Sequence, residues 1–406
     1  MSSTTDQSRA ESGATTVRGS SPSLLLPALF ANLGLLPGSG PYRALECTRM
    51  SDSPQETPAI SVVIPVHGRA DLLGETLASL AQQTFRDFEV IVTDDSDTAP
   101  ERAEIRRQID DYAQRIPRLQ YLFTEPRLYQ APNTNQGLAA ARGKYLRILH
   151  SDDLLAPRAL EIEHGLLEKY ERRIGVLTHW LLRFKEEPPA WRQDPEIIFQ
   201  DPARFFRLRA FAGPLPTSVI MRREIYDEIG GMQPDLRFFC DSEYFMRWSA
   251  WLHRHGLQLV ELTPGLVGWR VHENHLTAQS WDLEFTEGRQ TIRHWRSQSS
   301  DAFTSLVPEG YRQTFFHRAD LLQHKRFFRK SHLLTFNGAW PARLAHGLRH
   351  TLSHGSAGIM LGLAAKRIRD ALRRRRQPWG RLPTSPTRHL NRHAAQPLGL
   401  DQAPSP

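Results

Sequence analysis

The sequence predicts an α/β protein in which a mostly parallel mixed sheet is flanked by helices. Its first strand, Ile60–Val66 (ISVVIPV), is a continuous β-branched run, as expected of a strand buried on both faces. Leucines at helical spacing follow from Leu72 to Leu80, and Phe88 to Thr93 (FEVIVT) forms a second buried strand. Such alternation indicates parallel pairing, and ligands bind at the carboxyl ends of the strands in sheets of this kind.

The same alternation continues as far as residue 182. Its elements are a helix at 100–115, a strand at 119–123, a helix at 138–142, a strand at 145–149, a helix at 157–170 and a strand at 175–182. Beyond them the pattern loosens, because residues 183–216 show few strand signals. A strand–helix unit returns at 217–229, and an amphipathic helix is predicted at 242–253.

Composition divides the chain into three parts. Residues 1–57 are polar in two stretches and are predicted to be a disordered leader and linker, with Met50 as an alternative start. Residues 58–280 carry the strand–helix pattern and are predicted to form the main domain. Residues 281–406 are predicted to be a helical, basic extension with a disordered end.

The overall composition, with 40% hydrophobic and 24% charged residues, is that of a soluble globular protein. Two cysteines far apart, Cys47 and Cys240, argue against a disulfide framework, and no apolar run is long enough to predict a transmembrane helix. Much of the net charge of +8 lies in KRIRDALRRRR, from Lys366 to Arg376. A basic amphipathic helix there predicts contact with an anionic membrane surface, with a solvated helix packed on the main domain as the alternative. No motif indicates a nucleic-acid partner.

Two pairs of acids follow predicted strands and are the first candidates for chemistry. Asp94 and Asp95 end the second strand, and Asp152 and Asp153 follow the strand at 145–149. Each pair alone could serve as a helix cap or turn, because Asp is favoured in both. Together, at the carboxyl edge of one sheet, they favour a site for Mg²⁺ or Mn²⁺, since clustered carboxylates repel one another unless a cation joins them.

Four separated blocks lie within residues 59–275: SVVIPVHGRADLL, QTFRDFEVIVTDDS, GLAAARGKYLRILHSDD and GGMQPDLRFFCDSEYFMRW. In order and spacing they resemble the successive blocks of the family 2 glycosyltransferases. The resemblance implies a GT-A, Rossmann-like fold with a C-terminal extension added here. It also implies a nucleoside-diphosphate-sugar donor, expected to be a UDP-sugar, and inversion at the anomeric carbon.

The resemblance also assigns roles to residues of the donor site. It implies that Asp95 hydrogen-bonds the nucleobase, that Pro65 and His67 wall the base, and that Arg69 in the same loop contacts the donor. His67 stands where the family often has Tyr. Asp152 is expected near the ribose.

The metal and the catalytic base are assigned in the same way. Asp153 is expected to hold the divalent cation, Mn²⁺ or Mg²⁺, with His272 of an Arg-x-His pattern near the metal or the diphosphate. His150 replaces the acid that usually leads the metal motif. Asp241 is expected to be the base, with Glu243 as the fallback, whereas the alternative makes Asp241 a helix N-cap.

These assignments predict an inverting, metal-dependent glycosyltransferase. Its acceptor is expected to be a saccharide or a lipid-linked precursor of a surface polysaccharide. The enzyme would then work in the cytoplasm or on the inner face of the membrane. Two other classes stay open: a degenerate saccharide- or nucleotide-binding module, and a nucleotidyltransferase, although HGRADLL lacks the Gly-rich phosphate loop that the second class usually carries.

Overall fold

The computed structural model of the chain describes residues 44–49, 57–192, 194–209, 213–272, 281–297 and 301–320. Its strands are β1 (Ala44–Arg49), β2 (Ile60–Val66), β3 (Phe88–Asp94), β4 (Leu119–Thr124), β5 (Tyr145–Ile148), β6 (Leu154–Leu155), β7 (Ile174–His179), β8 (Leu182–Phe184), β9 (Glu196–Gln200), β10 (Val219–Arg222), β11 (Gln258–Thr263) and β12 (Val267–Arg270). Its helices are α1 (Ala70–Ala81), α2 (Ala99–Tyr112), α3 (Gln130–Ala140), α4 (Ala159–Lys169), α5 (Pro202–Arg209), α6 (Arg223–Ile229), α7 (Cys240–Arg254), α8 (Trp281–Ser297) and α9 (Asp301–Leu306). Residues 309–320 are also helical.

The main sheet has the strand order β1-β4-β3-β2-β5-β10-β7-β11-β9. Strands β2, β3, β4, β5, β7 and β11 run in one direction, and β1, β9 and β10 run against them. The predicted largely parallel, mixed sheet flanked by helices is therefore confirmed. A small second sheet has the order β6-β12-β8. Its strands β6, β8 and β12 follow β5, β7 and β11, respectively, in the chain.

Helices cover both faces of the main sheet and divide the core in two. Val63 of β2 belongs to a cluster with residues of α3, α5, α7, α8 and α9, whereas its neighbours Val62 and Ile64 belong to a cluster with α1, α2 and α4. This split follows from strand geometry, because successive side chains point to opposite faces. The continuous apolar run of β2, predicted at these same bounds, is the sequence signature of that double burial.

The observed elements differ from the predicted ones at several places, of which three matter here. The disordered leader predicted for residues 1–57 is wrong for Ala44–Arg49, which pairs antiparallel with β4 at the sheet edge and so satisfies backbone groups of β4. Strand β9 lies in the stretch thought to lack strands; its residues are mostly half-buried, so no clear period marks it. Helix α3 begins at Gln130 rather than at 138. Its first turns contain Pro132, Asn133 and Asn135, which are poor helix formers and gave no helical pattern in the sequence.

The helices after residue 280 share a core with the main domain. Trp295 of α8 packs against Phe206 of α5 with ring centroids 5.9 Å apart, and Phe303 of α9 lies 6.0 Å from Trp295. The first part of the predicted extension thus continues the main domain. Residues 321–406, with the predicted membrane-binding segment, lie outside the described residues, as do 1–43 and 50–56. Among the helices that the structure describes, none is both long and apolar enough to cross a membrane.

We expect Gly137→Ala to lower the free energy of unfolding by about 1–3 kcal/mol, the usual cost of overpacking a core. A Cβ at Gly137 of α3 would lie 2.3 Å from Val63 Cγ1 and 3.2 Å from Thr93 Cγ2, so α3 could no longer approach the sheet. The matched control is Gly165→Ala in α4, where nothing lies within 4 Å. That change should leave stability unchanged or raise it by up to about 1 kcal/mol. Urea unfolding of the two variants measures the difference, and equal effects would contradict the packing of α3.

Candidate active site

The carboxyl edge of the main sheet collects the polar residues predicted from the sequence. Loop 67–69 follows β2, the acid pair Asp94–Asp95 ends β3, and residues 149–153 follow β5. These three strands are adjacent and parallel, in the order β3-β2-β5, so their following loops lie side by side. The edge is therefore one continuous site and not three separate turns.

The two acids after β3 have different structural tasks. Asp94 is buried, and its carboxylate accepts hydrogen bonds from the Ser96 hydroxyl and from the Tyr121 hydroxyl at 2.7 Å. Asp95 is 2% exposed, and its Oδ2 accepts from the backbone N–H groups of Leu128 and Tyr129 at 3.0 and 2.7 Å. Asp95 thereby fixes the segment that enters α3, and its contact with a nucleobase stays a prediction.

His67 lies beside Asp95. Its Nδ1 is 3.0 Å from the Asp95 backbone oxygen and 3.4 Å from Oδ1, and its Nε2 is 3.4 Å from Asp97 Oδ2. The hydrogen bond with the Asp95 side chain raises the pKa of His67. Pro65, half-buried, is two residues earlier on β2, opposite Thr93 of β3. A partly exposed imidazole and a proline therefore lie at this edge, and their contact with a nucleobase stays a prediction.

The loop after β5 holds the group with the chemistry of a metal site. His150, Asp152 and Asp153 each offer one ligand atom, and these atoms lie within 4.8 Å of one another. Asp153 is fully buried, and its Oδ1 accepts from the backbone N–H of Arg270 at 3.0 Å. Its Oδ2 makes no hydrogen bond within the described part of the chain, and His150 Nδ1 lies 3.8 Å away. We call these three residues the acid–histidine group.

The acid–histidine group fits a divalent cation. Burial, followed by the nearby Asp152 carboxylate, raises the pKa of Asp153 well above its usual range, and the Thr217 hydroxyl and Arg270 offset only part of this shift. A buried carboxylate oxygen without a hydrogen bond is costly as an anion unless a cation meets it. Two carboxylates and one imidazole suit Mn²⁺, and the carboxylates alone suit Mg²⁺.

Two basic side chains meet the outer carboxylate, Asp152. Its Oδ2 accepts from Arg69 at 3.2 Å and lies 2.9 Å from His272 Nε2. Arg69 and His272 are themselves 3.3 Å apart. The structure thus brings together three residues predicted for the donor and the metal, but it places His272 against Asp152 and does not include it in the acid–histidine group. His150, predicted only as a replaced acid, takes that place.

Arg270, from the same Arg-x-His pattern as His272, binds both Asp152 and Asp153. It is 5% exposed, and its Nε donates to the Asp152 backbone oxygen at 3.0 Å, while its guanidinium also reaches Glu75. With the backbone N–H on Asp153, this one residue of β12 contacts both acids. The small sheet brings these groups together: β6 follows Asp153 directly in the chain and pairs with β12, which carries Arg270.

Asp241 and Glu243 both lie in the first turn of helix α7, but their side chains have different partners. The N-cap of α7 is Phe239, so the alternative that Asp241 caps this helix is wrong; Asp241 lies in the first turn and its Oδ1 accepts from the Ser242 N–H. Glu243 forms a two-pronged ion pair with Arg247, at 2.6 and 2.8 Å. Arg247 also donates to the backbone oxygens of Ile229, the last residue of α6, and of Gly231, at 2.6 Å each, so Glu243 has a structural task. Asp241 remains the better candidate for a base.

The loop that leads into α7 is bound to α3 and to the segment that Asp95 holds. Asn135 of α3 donates to the Met232 backbone oxygen at 2.7 Å and accepts from its N–H at 2.8 Å. The Arg237 guanidinium lies 4.1 Å from the ring centroid of Tyr129, whose N–H binds Asp95. These contacts bring the start of α7 to the edge that carries Asp95.

The same loop is held from the other side by Glu287 of α8. This buried carboxylate accepts from the backbone N–H of Arg237 at 3.0 Å and from that of Phe238 at 2.8 Å. The residue is 46 positions downstream of Asp241 in the chain, and nothing in the sequence links the two.

A buried charged set supports the loop after β5 from below. Arg147 of β5 is fully buried and donates to the backbone oxygens of Thr217 and Val219, both at 3.2 Å. Glu163 lies 3.4 Å from Arg147 and 2.8 Å from His179. Burial lowers the pKa of His179, so this imidazole is held neutral. Thr217 in turn accepts from the His150 N–H at 3.3 Å, which connects the set to the acid–histidine group.

The described fold and site define an α/β protein with a group at the carboxyl edge of its sheet that can hold a divalent cation. A sequence model of glycosyl transferase family 2 matches residues 61–230. The chain is 30% identical over 257 residues to the glycosyltransferase GlyG of Streptococcus pneumoniae serotype 4, covering 60% of this chain and 80% of GlyG. The chain therefore belongs to glycosyl transferase family 2, a family of inverting enzymes.

The chain is also similar to a longer protein and to a solved structure. The O-antigen biosynthesis protein RfbC of Myxococcus xanthus is 39% identical over 187 residues, which is 43% of this chain but 13% of RfbC. The chain spans less than two thirds of the length of the first relatives it matches. Among solved structures, the mannosyltransferase PcManGT of Pyrobaculum calidifontis, in complex with GDP-Man and Mn²⁺, aligns with a TM-score of 0.46 at 17% identity, covering 85% of this chain and 94% of that one.

We expect Asp153→Asn to weaken Mn²⁺ binding by about 100-fold or more, since even residues that only orient metal ligands cost about 10–100-fold when changed. The amide keeps the shape and the hydrogen bond from Arg270 but removes the buried negative charge. His253→Ala, on the exposed side of α7, is the control and should bind Mn²⁺ as the wild type does. Calorimetric titration with Mn²⁺ in the presence of a nucleoside diphosphate measures both. Unchanged binding by Asp153→Asn would show that the acid–histidine group is not the metal site.

Proposed function

We propose that the chain transfers a sugar from a nucleoside-diphosphate sugar, with inversion, to a hydroxyl of a saccharide or lipid-linked acceptor. The observation that carries the proposal is the acid–histidine group, which lies at the same sheet edge as His67 and Asp95; the loop that leads to Asp241 is also held to this edge. We further propose a GT-A architecture and a UDP-sugar as the donor. The similarity of part of the chain to an O-antigen biosynthesis protein supports a role in surface polysaccharide synthesis, in the cytoplasm or at the inner face of the membrane.

The residues present account for donor binding. His67 and Pro65 wall the nucleobase, and Asp95 holds the adjacent segment that enters α3. Arg69 lies beside Asp152, where its guanidinium can contact the diphosphate. A divalent cation, held by Asp153 with His150 and Asp152, would neutralise charge on the departing diphosphate. Arg69 adds a cationic group that needs no reorganisation as the charge develops.

The transfer step needs a base on the acceptor side. The acceptor hydroxyl oxygen attacks the anomeric carbon, the bond from that carbon to the diphosphate oxygen breaks, and the hydroxyl proton passes to the Asp241 carboxylate. The products are the glycosylated acceptor and a nucleoside diphosphate. Attack from the face opposite the leaving group inverts the configuration, which agrees with base and metal group coming from different parts of the chain.

Hydrolysis of nucleotide sugars in the absence of an acceptor tests the function directly. We expect the full chain to release nucleoside diphosphate from one or a few members of a panel of UDP-, GDP- and dTDP-sugars, only when Mn²⁺ or Mg²⁺ is present. Chelation should abolish release, because the diphosphate then leaves without its counter-charge. Binding of a nucleotide sugar without hydrolysis or transfer would instead identify a non-catalytic module.

We expect Asp241→Asn to lower the rate of transfer by about 10²–10⁴-fold, the usual effect of losing a general base. Donor affinity should survive, because Asp241 is not among the residues proposed to hold the donor. The matched control is Glu243→Gln on the same helix turn, which weakens the ion pair with Arg247 and should lower stability more than turnover. Calorimetry gives donor affinity, and single-turnover kinetics gives the rate. Loss of turnover in Glu243→Gln, with Asp241→Asn active, would move the base to Glu243.

A further inference from the structure

A cavity of about 220 Å³ opens at the carboxyl ends of β7 and β11, on the side of the acid–histidine group away from the nucleotide. Its walls include Trp180, Arg183, Arg209, Ser218, Glu261 and Trp269. We call it the Trp180 cavity. It is smaller than the pockets of about 300–1,000 Å³ that hold drug-sized molecules, so it would accept a single small ring.

Trp180 is exposed for half of its surface, and its backbone is fixed on both sides. Its backbone N–H donates to the Leu262 oxygen at 2.9 Å, and its own backbone oxygen accepts from the Gly265 N–H at 2.9 Å. Any Cβ at position 265 would lie 2.3 Å from that oxygen, so only glycine permits this approach. A large indole on a fixed backbone, left open to a cavity, is unusual for a residue whose only task is packing.

Polar groups with fixed geometry surround the indole. Arg209 lies 5.2 Å from the Trp180 ring centroid and pairs with the buried Glu261 at 3.0 Å. Arg183, itself exposed, lies 4.8 Å from the ring centroid of Trp269. The cavity therefore combines two indoles with charged groups that can donate and accept hydrogen bonds. An apolar surface with a few oriented polar groups is how proteins bind small amphipathic ligands, and a sugar has one apolar C–H face and a rim of hydroxyls.

The Trp180 cavity adjoins the acid–histidine group at two points of the chain. Ser218 lines it, and the preceding residue, Thr217, accepts the hydrogen bond of the His150 N–H. Trp269 lines it, and the following residue, Arg270, binds both acids. Along the sheet edge, the order is then the nucleotide side at β3-β2, the acid–histidine group after β5, and the cavity at β7-β11.

From this order and chemistry, we propose that the Trp180 cavity binds one sugar residue of the acceptor, which stacks on Trp180 and hydrogen-bonds Arg183 and the Arg209–Glu261 pair. The assignment to the acceptor rests on the proposed function, since the donor is assigned to the opposite side of the acid–histidine group. The binding of a sugar ring to the cavity can be measured independently of any transfer.

The test titrates the full chain with soluble glucose, galactose, rhamnose, N-acetylglucosamine and glucuronate, without donor or metal. Calorimetry measures affinity, and intrinsic fluorescence reports on the indoles. Loss of one aromatic stack costs about 3- to 10-fold in affinity, so Trp180→Ala should bind at least about threefold more weakly. Trp180→Phe should retain binding by calorimetry but show a smaller sugar-dependent fluorescence change, because Trp269 remains in the cavity. Tyr311→Ala is the matched control, because Tyr311 is 60% exposed and carries Arg207 at 5.5 Å but lies outside the cavity.

Two outcomes would overturn the proposal: no sugar binds the wild type at high millimolar concentration, or Trp180→Ala binds as tightly as the wild type. Thermal unfolding confirms that each variant is folded, and Trp180→Phe keeps the test valid if the alanine variant is not. Donor hydrolysis by the wild type is measured in parallel. Sugar binding without donor hydrolysis would support the cavity and refute the proposed transfer, whereas hydrolysis without sugar binding would do the reverse.

Discussion

The site is organised around a carboxylate, Asp153, that is buried with one of its oxygens left without a hydrogen bond. Burying such a group as an anion costs several kcal/mol unless opposite charge or donors surround it. The fold supplies part of that compensation from three directions: the Arg270 N–H, the Thr217 hydroxyl and the positive charge of buried Arg147. A divalent cation bound there would supply the charge that these groups leave uncompensated, and cation and carboxylate would then stabilise each other.

Arg147 shows how far this constraint extends below the edge. A guanidinium at the centre of a sheet is itself expensive to bury, and Glu163 of α4 lies next to it at 3.4 Å. His179, at the end of β7, joins Glu163 and also accepts the Leu266 N–H through Nδ1. The charged set therefore connects β5, α4 and β7 with the start of the small sheet. Removing Arg147 or Glu163 alone would leave an uncompensated charge in the core, so these two residues act as a unit.

Patterns in the sequence were sufficient for the parts of the structure that periodicity controls. Ile60–Val66 and Phe88–Asp94 are recognisable because both faces are buried, and the paired acids at strand ends follow from the rule that parallel sheets bind ligands at that edge. The place of His150 beside the two acids could not be predicted, because only the turn after β5 brings the three ligand atoms within 4.8 Å of one another. The long-range contacts were out of reach: nothing in the local sequence says that Asn135 binds Met232, or that Glu287 binds the loop before Asp241. Such pairs arise from tertiary packing, which short-range periodicity does not encode.

The acid–histidine group and Asp241, the proposed base, depend on different parts of the chain for their positions. The match to the family model ends at residue 230, so it includes the acid–histidine group but not Asp241. Helix α7 is packed on its buried face against Phe206 through Phe245, with centroids 5.3 Å apart, and Phe206 contacts Trp295 of α8. Glu287 of the same α8 fixes the loop just before Asp241. The position of the proposed base is therefore set by helices beyond residue 280, which share one core with α5 and α7.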